Sequence, residues 1–406
     1  MKKMLVMGGN DCAKEIKDFA RKHDIFLVAV GNVEDSPIKR IADQSFMTNA
    51  IDIEAMDELI KAEHIDCIFP GFNEKLVPIA IELAVRNGLP AYCTHKQWNL
   101  CMDKEQFKQL CLDSGIPAAK KYRLEDADTL PYPVVTKPAD SCGSQGFSIC
   151  RNAEELKAGY DRAFPFSQKG SVIIEDYLPY DSVIIHYTAV NGEICFSGIS
   201  DKRSGALCEN SSVMALQRFP SKNEADYLAN INEKAIKMFE SIGIQNGPIW
   251  IEAFNNNGSF YFNEMGYRFG GSMTFYPVEY YTGISQLDLM LENAAFGKCT
   301  PVDGFKYDNN KKRYGILPLH LHAGTVAKIE GEDAVKQSGY FYQYVPIHSE
   351  GDTVVENGTV SQVFCYLHLL FEDEDELEKI IDDILAKLHV TSTDGEEMLF
   401  CVLKKG

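Results

Sequence analysis

The sequence predicts a multidomain chain of mixed α/β and α+β class, with a parallel-sheet domain first and a two-part α+β body after it. Three observations predict this. Apolar strands and amphipathic helices alternate up to residue 94; a strand, a small-residue loop and a second strand occupy 133–150; and an aromatic hairpin near 250–271 carries two glutamates. A chain of 406 residues accommodates roughly two to four domains.

The elements follow in order. Residues 4–7 form a short apolar strand, closed by the tight turn Gly8-Gly9-Asn10. Ala13, Ile16, Phe19 and Ala20 keep helical spacing between Asp11 and His23, and Ile25–Val30 is a second apolar strand. A helix at Ile53–Glu63, strand Cys67–Phe69, the turn Pro70-Gly71-Phe72-Asn73 and a helix to Asn87 complete a pattern that calls for a parallel sheet covered on both faces. A dinucleotide site is poorly supported here. The turn lacks the third glycine of G-x-G-x-x-G, and the second strand ends at Gly31-Asn32 without an acid to grip a ribose.

Residues 95–130 read as a connector built on one helix, Gln97 to Ser114. Pro133–Pro138 is a strand with Lys137 near its end, leading into the loop Ser141–Gly146 and the return strand Phe147–Cys150. Small side chains let backbone N–H groups approach phosphate oxygens, although the loop taken alone reads equally as an ordinary turn. Val172–Pro179 is a strand running into an acidic hinge, and strands resume at Ser182–Val190 and Ile194–Ser200. Helices are expected over 223–243 and Ser285–Phe296, and strand Val363–Phe371 with helix Asp373–Leu388 ends the chain. The expected divisions are 1–94, 95–130, 131–185, 186–305 and 306–406, the last packed on the fourth.

In the hairpin, Asn255-Asn256-Asn257-Gly258 supplies the turn between Trp250–Phe254 and Phe260–Phe262. A loop centred on Asn257 pairs Glu252 with Phe262 and leaves Glu264 a diagonal neighbour on the same face; an even loop puts the acids on opposite faces. Two carboxylates on one face suit Mg²⁺, while apart from that geometry they are surface acids.

The net charge of −19 argues against nucleic acid or anionic lipid as partners. Twelve cysteines without paired spacing read as reduced thiols of a cytoplasmic protein, and no apolar run approaches the roughly 18 residues of a membrane span.

Lys104, Lys137, a glycine loop, the Glu175 hinge, Glu252, Glu264 and Arg268, in that order, resemble the ATP-grasp superfamily. The likeness is to its biotin carboxylase and carbamoyl-phosphate synthetase branch, L-amino-acid ligases included. Pro70-Gly71-Phe72, Met102-Asp103-Lys104 and Phe262–Arg268 carry it. The resemblance implies a pre-ATP-grasp domain followed by two α+β subdomains clasping ATP. Lys104 and Lys137 would meet the phosphates; Gly143, Ser144 and Gly146 would lie over them. Glu175 would accept from the adenine amino group, Tyr177 and Leu178 would offer backbone contacts to the ring, and Asp181 would meet the ribose, or else serve only as a turn-former. Glu252 and Glu264 would hold Mg²⁺, with Mn²⁺ as an alternative. Arg268 would face the transferred phosphoryl or the reacting carboxylate. Lys202 and Arg203, on a loop after a strand, would meet phosphate or substrate, or form a loop salt bridge. The family's Asn two residues after the second glutamate is Gly266 here. The implied activity is ATP-dependent ligation of a small-molecule carboxylate to an amine through an acyl phosphate, on amino acids by default, and relatives are often homodimers. The alternatives are a bicarbonate-activating enzyme and an ATP-binding protein without turnover.

Overall fold

The computed structural model describes residues 1–8, 10–139, 146–167, 169–208, 211–302 and 304–404. The first domain comprises β1 (Lys2–Val6), α1 (Ala13–Lys22), β2 (Ile25–Val30), α2 (Pro37–Ile41), β3 (Gln44–Phe46), α3 (Ile53–Ala62), β4 (Cys67–Phe69) and α4 (Leu76–Asn87). Its strands pair in parallel in the order β3-β2-β1-β4. The central strands are buried on both faces, which accounts for their unbroken apolar runs.

The connector departs from expectation. Instead of one helix over Gln97–Ser114 there are two, α5 (His95–Met102) and α6 (Lys104–Asp113). Asp103 separates them: its backbone is extended, and its carboxylate accepts from the N–H groups of Glu105 and Gln106. A side chain that satisfies the free donors of a helix start favours a new start over continuation.

A four-stranded antiparallel sheet follows, formed by β5 (Lys121–Tyr122), β6 (Val134–Pro138), β7 (Ser148–Cys150) and β8 (Val172–Asp176) in the order β5-β8-β6-β7, with α7 (Ala153–Ala163) packed on it. Gly143 and Ser144 lie outside the described residues.

The body of the molecule comprises β9 (Asp181–Val190), β10 (Glu193–Gly205), β11 (Val213–Phe219), α8 (Glu224–Asn230), α9 (Asn232–Ser241), β12 (Gly247–Asn256), β13 (Ser259–Gly266), α10 (Phe275–Thr282) and α11 (Gln286–Phe296). It continues through β14 (Arg313–Leu321), β15 (Gly324–Glu330), α12 (Glu332–Lys336), β16 (Phe341–Pro346), β17 (Thr353–Val354), β18 (Val363–Phe371), α13 (Glu374–Lys387), β19 (His389–Ser392) and β20 (Leu399–Phe400). One sheet runs β13-β12-β9-β10-β11-β14-β18-β16, with β20 paired to β14. Two of the expected divisions fall across this continuous sheet. Residue 185 lies inside β9, and residues beyond 306 extend the same hydrogen-bonded ladder through β11 and β14. Among the described residues no helix is long and apolar enough to cross a membrane.

Candidate active site

The hairpin reaches the expected geometry by a different route. Asn257 and Gly258 form a two-residue turn, both with positive φ (48° and 89°), and Asn256 pairs with Ser259. This even loop alone would place Glu252 and Glu264 on opposite faces. A bulge corrects it: Ala253 pairs with Phe262 but Glu252 pairs with Glu264, so Asn263 is the extra residue. The carboxylates are thus directly opposite rather than diagonal.

Rows of side chains then cross the sheet on that face. Glu264, Glu252, Ile184 and Ser200 share one row of β13, β12, β9 and β10. Gly266, Trp250, His186 and Gly198 form the next row on one side, and Phe254, Ser182 and Lys202 the next on the other. From this last row Lys202 Nζ donates to Glu252 Oε1 at 2.8 Å, and Ser182 Oγ donates to the same oxygen at 3.0 Å. Lys104 Nζ, from α6, stands 4.0 Å from Glu264 Oε2. Lys137 Nζ, from β6, donates to Asn263 Oδ1 at 2.9 Å and lies 2.5 Å from Glu175 Oε1. Four separate segments therefore bring three lysines and two acids to one cleft.

Burial and neighbouring charge set the protonation of this cluster. Burial and the neighbouring Lys104 push the Lys137 ammonium down to about 8. Burial alone would raise Glu252, but Lys202, Ser182 and Lys137 outweigh it and hold the carboxyl below its ordinary value. Burial likewise works against Lys202, and Glu252 overcomes it, raising the ammonium. The donor set fits a hard cation: two facing carboxylates, with the Asn263 amide oxygen one residue away. Among the described residues no cluster of three or more His, Cys, Asp or Glu side chains makes a complete metal cage. A cation at the glutamates would draw its other ligands from phosphate and water.

Several expected residues take other positions. Glu175 is buried, and its carboxylate is engaged by Lys108 and Lys137, so its charge steadies two ammonium groups rather than standing open to an adenine. Tyr177 and Leu178 follow β8 half-buried, and the Tyr177 N–H donates to Pro133 O. Asp181 is exposed and paired with Lys222 at 2.6 Å. Asp201-Lys202-Arg203 is strand β10, not a loop, so its side chains alternate. Lys202 enters the cleft; Arg203 takes the other face, beside Glu374 of α13 at 3.9 Å. Gly146 is left-handed (φ 73°) and packs against Ala163 and Phe166.

Arg268 spans the gap to the first domain. Its Nη2 donates to Glu74 Oε2 at 2.7 Å, and its guanidinium lies 5.7 Å from the centroid of the Trp250 ring. Gly266 is explained by the same indole. A Cβ at Gly266 would fall 2.3 Å from Trp250 Nε1, so the tryptophan fills the space an asparagine would need. Sequence reasoning missed Lys108, Ser182, Asn263 and Glu74. Lys108 alone carried a signal, one helical turn after Lys104 on the same face of α6.

Residues 101–270 match the family model described as D-ala D-ala ligase C-terminus. That span holds both lysines, the hinge, both glutamates and Arg268. The chain carries an ATP-grasp domain. Solved structures share the arrangement of elements over nearly the whole chain. The L-amino acid ligase from Bacillus licheniformis superposes with a TM-score of 0.77 at 18% identity, covering 97% of this chain and 99% of that one. Biotin carboxylase from Campylobacter jejuni gives 0.77 at 18% identity, covering 98% and 92%. The formate-dependent phosphoribosylglycinamide formyltransferase of Bacillus velezensis is 30% identical over 203 residues, 47% of this chain and 53% of that protein. The chain thus spans about half the length of this curated relative.

Proposed function

We propose that the protein is an ATP-dependent carboxylate–amine ligase acting through an acyl phosphate, with an amino acid among its substrates. The observation that carries this reading is the convergence of Glu252, Glu264, Lys104, Lys137 and Lys202 on one cleft, with Arg268 at its end. The L-amino-acid ligase and biotin carboxylase likenesses support it. Lys104 and Lys137 would neutralise the triphosphate as point charges. Glu252 and Glu264 would hold Mg²⁺, or Mn²⁺ in its place, and the bound cation would supply charge neutralisation on the phosphate oxygens. Lys202 keeps Glu252 ionised and aimed. Tyr177, Leu178 and Asp181 complete the proposed nucleotide contacts with Gly143, Ser144 and Gly146.

In the first step an oxygen of the substrate carboxylate attacks the γ-phosphorus, and the bond to the β-phosphate oxygen breaks, releasing ADP. In the second the amine nitrogen attacks the acyl carbon, the carbon–oxygen bond to phosphate breaks, and the nitrogen loses a proton. Phosphorylation is needed because oxide is too poor a leaving group. Arg268 would turn from Glu74 to the reacting carboxylate, whose planar oxygens match its fork. A cytoplasmic location and a homodimer belong to the same proposal; one structural relative is described as a biotin carboxylase domain dimer with MgADP and bicarbonate.

The test is phosphate release from Mg·ATP with pooled amino acids. Release that depends on an amino-acid pair, with equal ADP, is expected. Stimulation by bicarbonate alone would reassign the chain as a bicarbonate-activating enzyme. ATP binding without release under any addition would make it a non-catalytic binder, a reading that the Trp250–Gly266 substitution of the family amide favours.

A further inference from the structure

We infer that Lys108 is a positioning residue for the triphosphate: it stays behind as a standing partner of Glu175 and so releases Lys137 to the phosphates. This rests on the nucleotide site proposed above and adds a residue to it. Lys104 and Lys108 lie one turn apart on α6. Lys104 reaches the metal-side acids, 4.0 Å from Glu264. Lys108 is only 3% exposed, and its Nζ donates to Glu175 Oε2, of a carboxylate just as buried. Lys137 Nζ lies 2.5 Å from the other oxygen, Oε1, and also donates to Asn263 Oδ1 at 2.9 Å. One buried carboxylate is thus shared by two lysines, one from the connector and one from the small sheet.

The two lysines differ in where their heads can go. Lys137 bridges the hinge acid and the bulge residue beside Glu264, so its ammonium already stands at the edge of the cleft. With Lys137 as its sole partner, Glu175 would hold that ammonium back, because moving it onto a phosphate would strand a buried carboxylate. With Lys108 on Oε2, Glu175 keeps a donor when Lys137 leaves. Like charge acts in the same direction. Burial first, then Lys137, Lys121 and Lys104, push the Lys108 ammonium well below its ordinary value, and its N–H donates to Glu175 in either protonation state. Departure of Lys137 removes the foremost of those repulsions, so Lys108 becomes the better counter-ion as Lys137 is handed on. A buried lysine with no reach into the cleft therefore governs how firmly a second lysine grips phosphate.

Calorimetric titration of the full-length protein with ATP and with AMP, at one fixed Mg²⁺ concentration, tests this. The quantity read is the ratio of the two affinities, which a merely structural loss would leave unchanged. Lys108→Met should lower the preference for ATP about tenfold, the worth of one charge-assisted contact, and leave AMP binding as in wild type. Glu175→Gln removes the carboxylate that holds Lys137, so its preference should equal or exceed that of wild type. Adding Lys108→Met to Glu175→Gln should then shift the ratio by no more than about twofold, because the two positions act through one contact. That pair of variants decides the matter even where Lys108→Met alone does not fold. An unchanged ratio in Lys108→Met, equal loss of both nucleotides, or a further fall in the double variant would overturn the inference alone. Wild-type protein that binds neither nucleotide would overturn the nucleotide site and the inference with it.

Discussion

Position 266 illustrates how one residue's freedom is settled by another. Gly266 has no side chain because Trp250 lies where its Cβ would be. Restoring the family amide with Gly266→Asn should overpack this contact and destabilise the protein by about 1–3 kcal/mol. Adding Trp250→Ala should recover part of that loss, and a double-mutant cycle on denaturant midpoints measures the coupling. Lys137 sets a second expectation. Its ammonium is depressed to about 8, so it is charged below that pH and neutral above. ATP affinity should be flat on the acid side and fall by up to about tenfold per pH unit above it, one proton's worth of linkage. Triphosphate binding favours the charged form, so the break should move upward in the complex. Isothermal titration from pH 6.5 to 9.5 checks both. Glu264→Gln should lower Mg·ATP turnover by about 100-fold or more, since carboxylate-held metal contributes several kcal/mol to phosphoryl transfer; steady-state phosphate release reads it, and near-wild-type turnover would sink the metal assignment.

At the scale of elements, alternation in β10 makes the sharpest contrast. Lys202→Ala should cripple turnover because it frees Glu252, whereas Arg203→Ala, one residue along and facing Glu374, should leave it within about twofold. Equal effects of the two would refute the face assignment. Asp103→Ala removes the cap that starts α6 and should cost about 1 kcal/mol, seen as a lower denaturation midpoint. These elements also show what could be read from the sequence. Strands Ile25–Val30, Cys67–Phe69 and Val363–Phe371 are legible to the residue, because apolar runs bounded by turns leave little choice. The break at Asp103 was not, since helical spacing runs straight through it and only the cap geometry reveals the restart. The bulge at Asn263 was equally hidden: nothing in Phe262-Asn263-Glu264 announces an unpaired residue, yet it decides which face both acids share. Arg313–Leu321 escaped notice as a strand because burial on both faces erases alternation.

Across the whole molecule, the sequence singled out charged residues but not which of them would meet. Lys104, Lys137, Glu252 and Glu264 were legible because their order along the chain resembles a family pattern. Their buried partners were not: Lys108, Ser182 and Glu74 are common residue types whose roles come from distant contacts. Continuity of the large sheet was likewise invisible, because β11 pairs with β14 only through side-by-side placement of segments about a hundred residues apart. That ladder constrains any attempt to build hybrids with the relatives. An exchange of parts made anywhere between Asp181 and Phe371 must replace strands that hydrogen-bond across the cut. A donor segment ending near residue 305 would leave β11 with a bare edge, prone to recruit other chains. A cut before Lys121 crosses fewer strand pairings, breaking the bridge of Ala118 to Phe262, but the first domain shares one apolar core with the body, so a transplanted first domain must bring matching side chains for that shared face.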